Sequence, residues 1–421
     1  MISSAWTRYR SVPLVYRIAL AFVAGSLLGL TIGEPATLLA PLGDLFLRLL
    51  EMLVVPLIIF TLLGGIRKLT PSKLGRIGGS VVLLYMATTA LAGVFGLTIG
   101  NLLNPGTGVE FTGGEAQSAQ PPALADVFLN IVPNNPVAAT ANGDILSIIF
   151  FTLVFGLALT IVRETTDEDA VQSAITGFFE FVDAGTQALF KIVWAVMEYA
   201  VIGVFALMAS SMATNGIEAI ISLATLVGAI ALAVLLHILV TYLGLITVIG
   251  LGQSPIAFLS GAKDAMLTAF TIRSSSGTLP VTMRNADDDL AIDESLYGFS
   301  LPLGATINMD GAAIRQSITA IFAANLFGIH LGLIDQVTLL ITVVLVSIGT
   351  AGVPGAGLIM LTIILESVGL PLTVVGFVAG VDPILGRIAT MNNVTGDLAV
   401  STLAGKWNNA IDFTRGVWPR T

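Results

Sequence analysis

Long unbroken apolar runs alternate with short polar breaks along this chain. Runs near 12–32, 38–66, 77–103, 144–163, 173–211 and 217–251 are followed by apolar segments near 295–328, 335–371 and 372–405. A hydrocarbon core of about 30 Å is crossed by about 20 helical residues. The runs are continuous rather than alternating, which predicts helices and not a barrel. Two stretches break the pattern. One, 255–288, contains Arg273 to Pro280 (RSSSGTLP); the other, 347–357, reads SIGTAGVPGAG. Each sets small and polar residues between apolar arms too short to be separate ordinary spans. Lipid offers no hydrogen-bond partners, so irregular backbone at membrane depth must line a cavity or be buried in protein. Both are read as re-entrant helical hairpins, over 253–288 and 334–371, in preference to Gly-rich helix-packing faces. Paired interrupted segments in two halves of a transporter are the best sequence pointer to its binding site.

Composition agrees with this pattern. Of the 421 residues, 55% are hydrophobic and 11% charged, and the mean hydropathy is +0.93; a soluble domain carries about 25% charged residues. The first apolar run follows Arg8 and Arg10 and has no small-residue cleavage site before a soluble domain. It is therefore read as a first span, not a removed signal peptide. Arg8, Arg10 and Arg17 precede or open that span, and Arg67, Lys68, Lys73 and Arg76 follow the second. The loop 104–125 holds Glu110 and Glu115 but no Lys or Arg, and Lys406, Arg415 and Arg420 lie near the end. Basic loops face the cytoplasm, so both termini are expected inside and loop 104–125 outside, in a plasma (inner) membrane. The tract 113–124 reads as a flexible loop. The net charge of −9 resides mostly in loops and points to no nucleic-acid partner. The absence of cysteine excludes disulfides and thiol catalysis. With only His237 and His330, zinc is not expected, and each reads as a buried polar group. No phosphate loop supports ATP-driven transport.

Three polar groups remain at membrane depth. Asn308-Met309-Asp310 interrupts an apolar segment, and an ionisable residue there is functional or paired. Gly386, Thr390, Asn393 and Asp397, spaced by four, three and four, fall on one stripe of the last span. Tyr85, Thr88 and Thr89 share a face of the third. Alone, this last group reads equally well as interhelical hydrogen bonding. The donors are nearly all oxygen, which hard cations prefer. With Asp310 and Asp397 present, cation coupling is the better reading.

At these residues the chain resembles the glutamate transporter family, the dicarboxylate/amino acid:cation symporters, including their archaeal and bacterial aspartate transporters. Arg273–Pro280, Gly304–Gly311, Ser347–Gly357 and Asn393–Asp397 recur in family order, and the similarity covers essentially the whole chain. The resemblance implies an all-α polytopic membrane protein with eight transmembrane helices, two re-entrant hairpins and inverted repeats. It implies a homotrimeric elevator-type symporter in the lipid bilayer, not an enzyme, that carries a small organic anion with sodium. The scaffold would be 1–76 and 104–216, the transport domain 77–103 and 217–410, and 411–421 a cytoplasmic tail. Two or three sodium ions and no organic cofactor are implied. Matching positions are Tyr85, Thr88, Thr89, Asn308 and Asp310 for one ion, and Gly304, Asn308, Asn393 and Asp397 for a second. Thr306, Met309, Ser347, Ile348 and Thr350 match a third, largely through carbonyls.

The substrate site carries over only in part. Ser275, Ser276, Val353, Gly357, Thr390 and Asn393 match carboxylate-holding positions, with Arg273, Ser274 and Pro354 beside them. Amino acid transporters of the family place an Asp where this chain has Gly386, an Arg at Ala389 and a Thr at Ala312. Arg315 lies three residues after Ala312 and on the same stripe. At 100° per residue Arg387 is rotated about 200° from Ala389 and points elsewhere. Arg315 is thus expected to replace the missing guanidinium, since a fork-shaped cation suits a carboxylate. The bland alternative is an ion pair with an acid such as Asp382. Loss of the acid at 386 favours a C4-dicarboxylate or related anion over an acidic or neutral amino acid. A channel filter built from the two tips is a further reading, distinguished by counterflow. An aspartyl protease dyad is disfavoured, because Asp397 follows Val-Thr-Gly rather than Gly-x-Gly.

Overall fold

The computed structural model describes residues 9, 11–67, 78–108, 129, 131–347 and 356–418. Every regular element among them is helical, and one isolated bridge joins Ile292 to Ile411. Helix α1 spans Leu14–Ile32, α2 Ala40–Ile66 behind a 3-10 lead-in (Glu34–Leu39), and α3 Gly79–Leu103. A short α4 (Pro136–Asn142) precedes α5 (Ile145–Thr165), α6 (Asp169–Asn215) and α7 (Glu218–Leu251). The last part of α7, Ile238–Leu251, is wound as a π-helix. By length and composition α2, α3, α5, α6 and α7 suffice to cross a membrane.

The first interrupted segment becomes two helices, α8 (Pro255–Ile272) and α9 (Ser275–Arg284). Its sequence explains the break. Ser254 caps α8 at the Ala257 N–H, and Pro255 occupies the first turn, where a missing N–H costs nothing. Arg273 ends α8 in the left-handed region at φ 58°. Ser274 is extended and its hydroxyl accepts from the Gly277 N–H at 3.0 Å, starting α9. The serine run is thus a stop, a cap and a new start. The second segment forms arms α12 (Leu333–Ser347) and α13 (Ala356–Ser367), which pack together. Its tip, with the expected site residues Ile348, Thr350, Val353 and Pro354, lies outside the described residues.

Between the two hairpins the chain is broken again. Helix α10 (Glu294–Ile307) stops and α11 (Asp310–Leu326) starts, with Asn308 and Met309 at ψ 86° and 45° outside the helical range. The apolar run 372–405, expected as one span, is two elements. Helices α14 (Thr373–Ala379) and α15 (Asp382–Trp407) meet at 83°. Pro383 in the first turn of α15 suits a helix start, not continuation.

Two packing groups result. Helices α1, α2 and α5 lie against α6. In the other group α15 is enclosed by α3, α7, α8, α10 and α11. This enclosure follows from what α15 carries. Asn392, Asn393, Thr395, Asp397, Ser401 and Thr402 are all buried, and lipid would leave them without partners. The end of the chain, expected as a tail over 411–421, folds back through residue 418. Asp412 N–H donates to Ala291 O, Val417 N–H to Asp289 O and the buried Trp418 indole to Leu290 O, at 2.8–3.0 Å. The turn after the first hairpin is thereby clasped by the C-terminal segment.

Candidate functional site

The break at Asn308–Met309 places Asn308, Met309 and Asp310 at the crossing of α10 and α11, against Asn393 and Asp397 of α15, all of them buried. Asn308 Nδ2 donates to Asp397 Oδ1 at 2.9 Å and to Asn393 O at 3.2 Å. Asn393 in turn accepts from the Gly311 N–H at 2.7 Å, and its amide reaches Met309 Sδ at 3.2 Å. From α3, Thr89 donates to Asp310 Oδ1 at 2.6 Å, and Thr88 Oγ1 lies 3.4 Å from Asn308 Oδ1. Tyr85 donates to Ser300 O at 3.0 Å. A Cβ at Gly304 would lie 2.6 Å from Tyr85 Oη and 2.9 Å from Asp397 Cγ, so only glycine lets both approach. The residues of the first two expected ion sets therefore converge, with Asn308 bonded to Asp397 and Asp310 two residues farther along the chain. Of the third set, Met309 joins this cluster. The Thr306 hydroxyl donates to Leu303 O in its own helix, as Ser347 does to Val344 O.

Asp310 and Asp397 are 0% and 2% exposed, and no Lys or Arg pairs with either among the described residues. An unpaired buried carboxylate is costly. Hydroxyl and amide donors offset part of that cost, and a bound cation would offset the rest. Unwound backbone and side-chain oxygens around two such carboxylates form a donor set suited to a hard monovalent ion.

Arginines dominate the other side of the site. Arg273, at the first hairpin's tip, places Nη2 2.7 Å from Asp382 Oδ2. Arg315 places Nη2 2.7 Å from Asp382 Oδ1, which is the ion-pair alternative for this residue. A Cβ at Gly357 would lie 3.1 Å from Arg315 Cζ, and Gln316 Nε2 donates to Gly357 O at 2.8 Å. The second hairpin's inner arm thus meets the same cluster as the first hairpin's tip. Arg387 turns away, as its helical phase requires, and donates to Phe270 O and Thr271 O on α8. Thr390 donates to Gly386 O at 2.7 Å within its own helix. Ala389 packs against Gly311, and Ala312 is also buried. Ser275 is buried and Ser276 exposed at the start of α9.

Sequence reasoning missed several members. Tyr242 Oη donates to Asp310 Oδ2 at 2.6 Å, and the His237 and Tyr242 rings meet edge to face at 4.8 Å. Asn392 Nδ2 lies 3.4 Å from Tyr242 Oη. The available signal was a few polar residues, His237, Thr241 and Tyr242, inside an otherwise apolar span. Asp382 was visible only as a generic partner; its place between two arginines is tertiary.

Comparison with known proteins agrees with this geometry. Residues 14–407 match the sodium:dicarboxylate symporter family. The chain belongs to that family. It is 31% identical to the proton/sodium-glutamate symport protein of Geobacillus stearothermophilus, over 97% of each chain. It is 34% identical to the proton/glutamate-aspartate symporter of Escherichia coli, over 95% of this chain and 94% of the relative. It is 32% identical to the C4-dicarboxylate transport protein of Rhizobium johnstonii, over 95% and 90%. This sodium:dicarboxylate symporter family member is a membrane transport protein and not an enzyme.

Proposed function

We propose that the protein is a sodium-coupled symporter of a small organic dianion, of the C4-dicarboxylate type, working by an elevator mechanism. One observation supports it most: buried charge is divided between two clusters. Asp310 and Asp397 form an anionic cluster without a basic partner among the described residues, and Arg273, Arg315 and Asp382 form a net cationic one. The first suits sodium; the second suits a substrate carboxylate and lacks the acid that would hold an ammonium at Gly386. The five groups sum to −1, two Arg against three Asp. A dianion would bring the total to about −3, of which two sodium ions would offset most and three all.

The helix packing supports a scaffold of 1–76 and 104–216 and a moving unit of 77–103 and 217–410 that carries both hairpins. On this reading the hairpins are re-entrant, the two halves are inverted repeats, the assembly is a homotrimer, and both termini are cytoplasmic. Two of the relatives above are named for glutamate or aspartate, which favours amino acid symport as the second reading. Proteoliposomes separate the two. A sodium gradient is expected to drive labelled succinate inward, with L-aspartate competing at least about tenfold more weakly. Uptake of aspartate in preference to succinate would support the second reading instead.

A further inference from the structure

The arginine cluster contains donor atoms that its own ion pairs do not use. Arg273 and Arg315 each place Nη2 on a different oxygen of Asp382, and Arg273 Nη2 also contacts Asp382 O at 3.3 Å. Their Nε atoms are buried and have no hydrogen-bond partner among the described residues. Buried guanidinium nitrogens are costly to leave unpaired, so this edge is built for something to accept from it. For Arg273 the location is defined. A Cβ at Gly386 would lie 2.9 Å from both its Nε and its Nη2. The side edge of the fork therefore covers the Gly386 backbone, on the same stripe as Thr390 and Asn393. Nε and Nη2 share one face of the guanidinium; Nη2 is held by Asp382, so the Nε–H of that face is the donor left for a carboxylate oxygen. Asp382, 3% exposed at the start of α15, aims that face and separates two like charges that would otherwise repel at close range.

We propose that Asp382 is a specificity-determining positioning residue: by holding Nη2 it draws Arg273 across Gly386, where the remaining Nε–H receives one carboxylate oxygen of a dianion and the guanidinium charge repels an ammonium. This rests on the dicarboxylate reading above and supplies its physical basis. The relevant comparison is succinate against L-aspartate, which differ by a single amine. Asp382→Asn keeps side-chain volume and removes the charge that holds the fork. In reconstituted protein it is expected to raise KM for succinate about tenfold, with a smaller effect on maximal rate. It should also narrow the ratio of aspartate to succinate inhibition constants, and leave sodium half-saturation measured at saturating succinate unchanged. Asp382→Glu should restore part of the ratio. If Asp382→Asn does not fold, Gly386→Ala provides the same readout, because its methyl displaces the fork while Asp382 stays. A wild-type ratio in whichever variant folds would overturn the proposal and leave the dicarboxylate reading standing. A wild-type protein that prefers aspartate would remove both.

Discussion

Asp310→Asn is expected to raise the sodium half-saturation of uptake by about 100-fold or more while the protein still folds. The carboxylate is fully buried, and the neutral hydroxyls of Thr89 and Tyr242 donate to it at 2.6 Å. Sodium would be its principal countercharge. Losing one partner of a buried ion pair costs about 3–5 kcal/mol, and about 1.4 kcal/mol is tenfold in affinity. The sign for folding is opposite. Without sodium the carboxylate is an uncompensated buried charge, so its neutral isostere should melt at the same or a higher temperature in sodium-free buffer. Wild-type and variant melting curves with and without sodium give both quantities. A variant that binds sodium normally would take Asp310 out of the ion site.

Gly304→Ala is expected to be nearly as severe, through shape rather than charge. The added methyl would lie 2.6 Å from Tyr85 Oη and 2.9 Å from Asp397 Cγ. Both atoms belong to the ion cluster, so relief requires moving Asp397 away from Asn308 or opening the contact between α3 and α10. Overpacking of this kind costs about 1–3 kcal/mol, which corresponds to roughly five- to 150-fold in sodium affinity. Gly298→Ala on the same helix is the control, since nothing lies within 4 Å of a Cβ there. Equal sodium titrations for the two variants would show that the room at Gly304 is not needed for ion binding.

Much of this was legible in the chain because membrane depth makes polar residues conspicuous. Asn308, Asp310, Asn393 and Asp397 stand out against apolar neighbours, and the fold brings all four to one crossing. The break after Arg273 could be read from Ser-Ser-Ser-Gly as a helix stop and restart. Three features were not legible, each for a physical reason. Tyr242 belongs to the ion cluster because α7 packs on α15, and no local pattern encodes that pairing. The run 372–405 looks continuous by hydropathy, since a bend of 83° leaves apolar composition unchanged. The chain end looked like a tail because it is polar on average, yet Val417 and Trp418 are buried beneath the turn after the first hairpin. Arg315 was expected to face the substrate, with an ion pair to Asp382 as the alternative; its contact with Asp382 Oδ1 depends on α15 lying beside α11, which no local pattern encodes.

Thermal melting of the purified protein with succinate, in sodium and then with potassium in its place, tests the joint binding of ion and carboxylate most directly. A ligand that binds the folded state raises the melting temperature by mass action. Succinate and sodium together are expected to raise it by more than the sum of their separate effects, with no such synergy in potassium. A succinate shift of equal size in the two salts would contradict sodium ligation by Asp310 and Asp397.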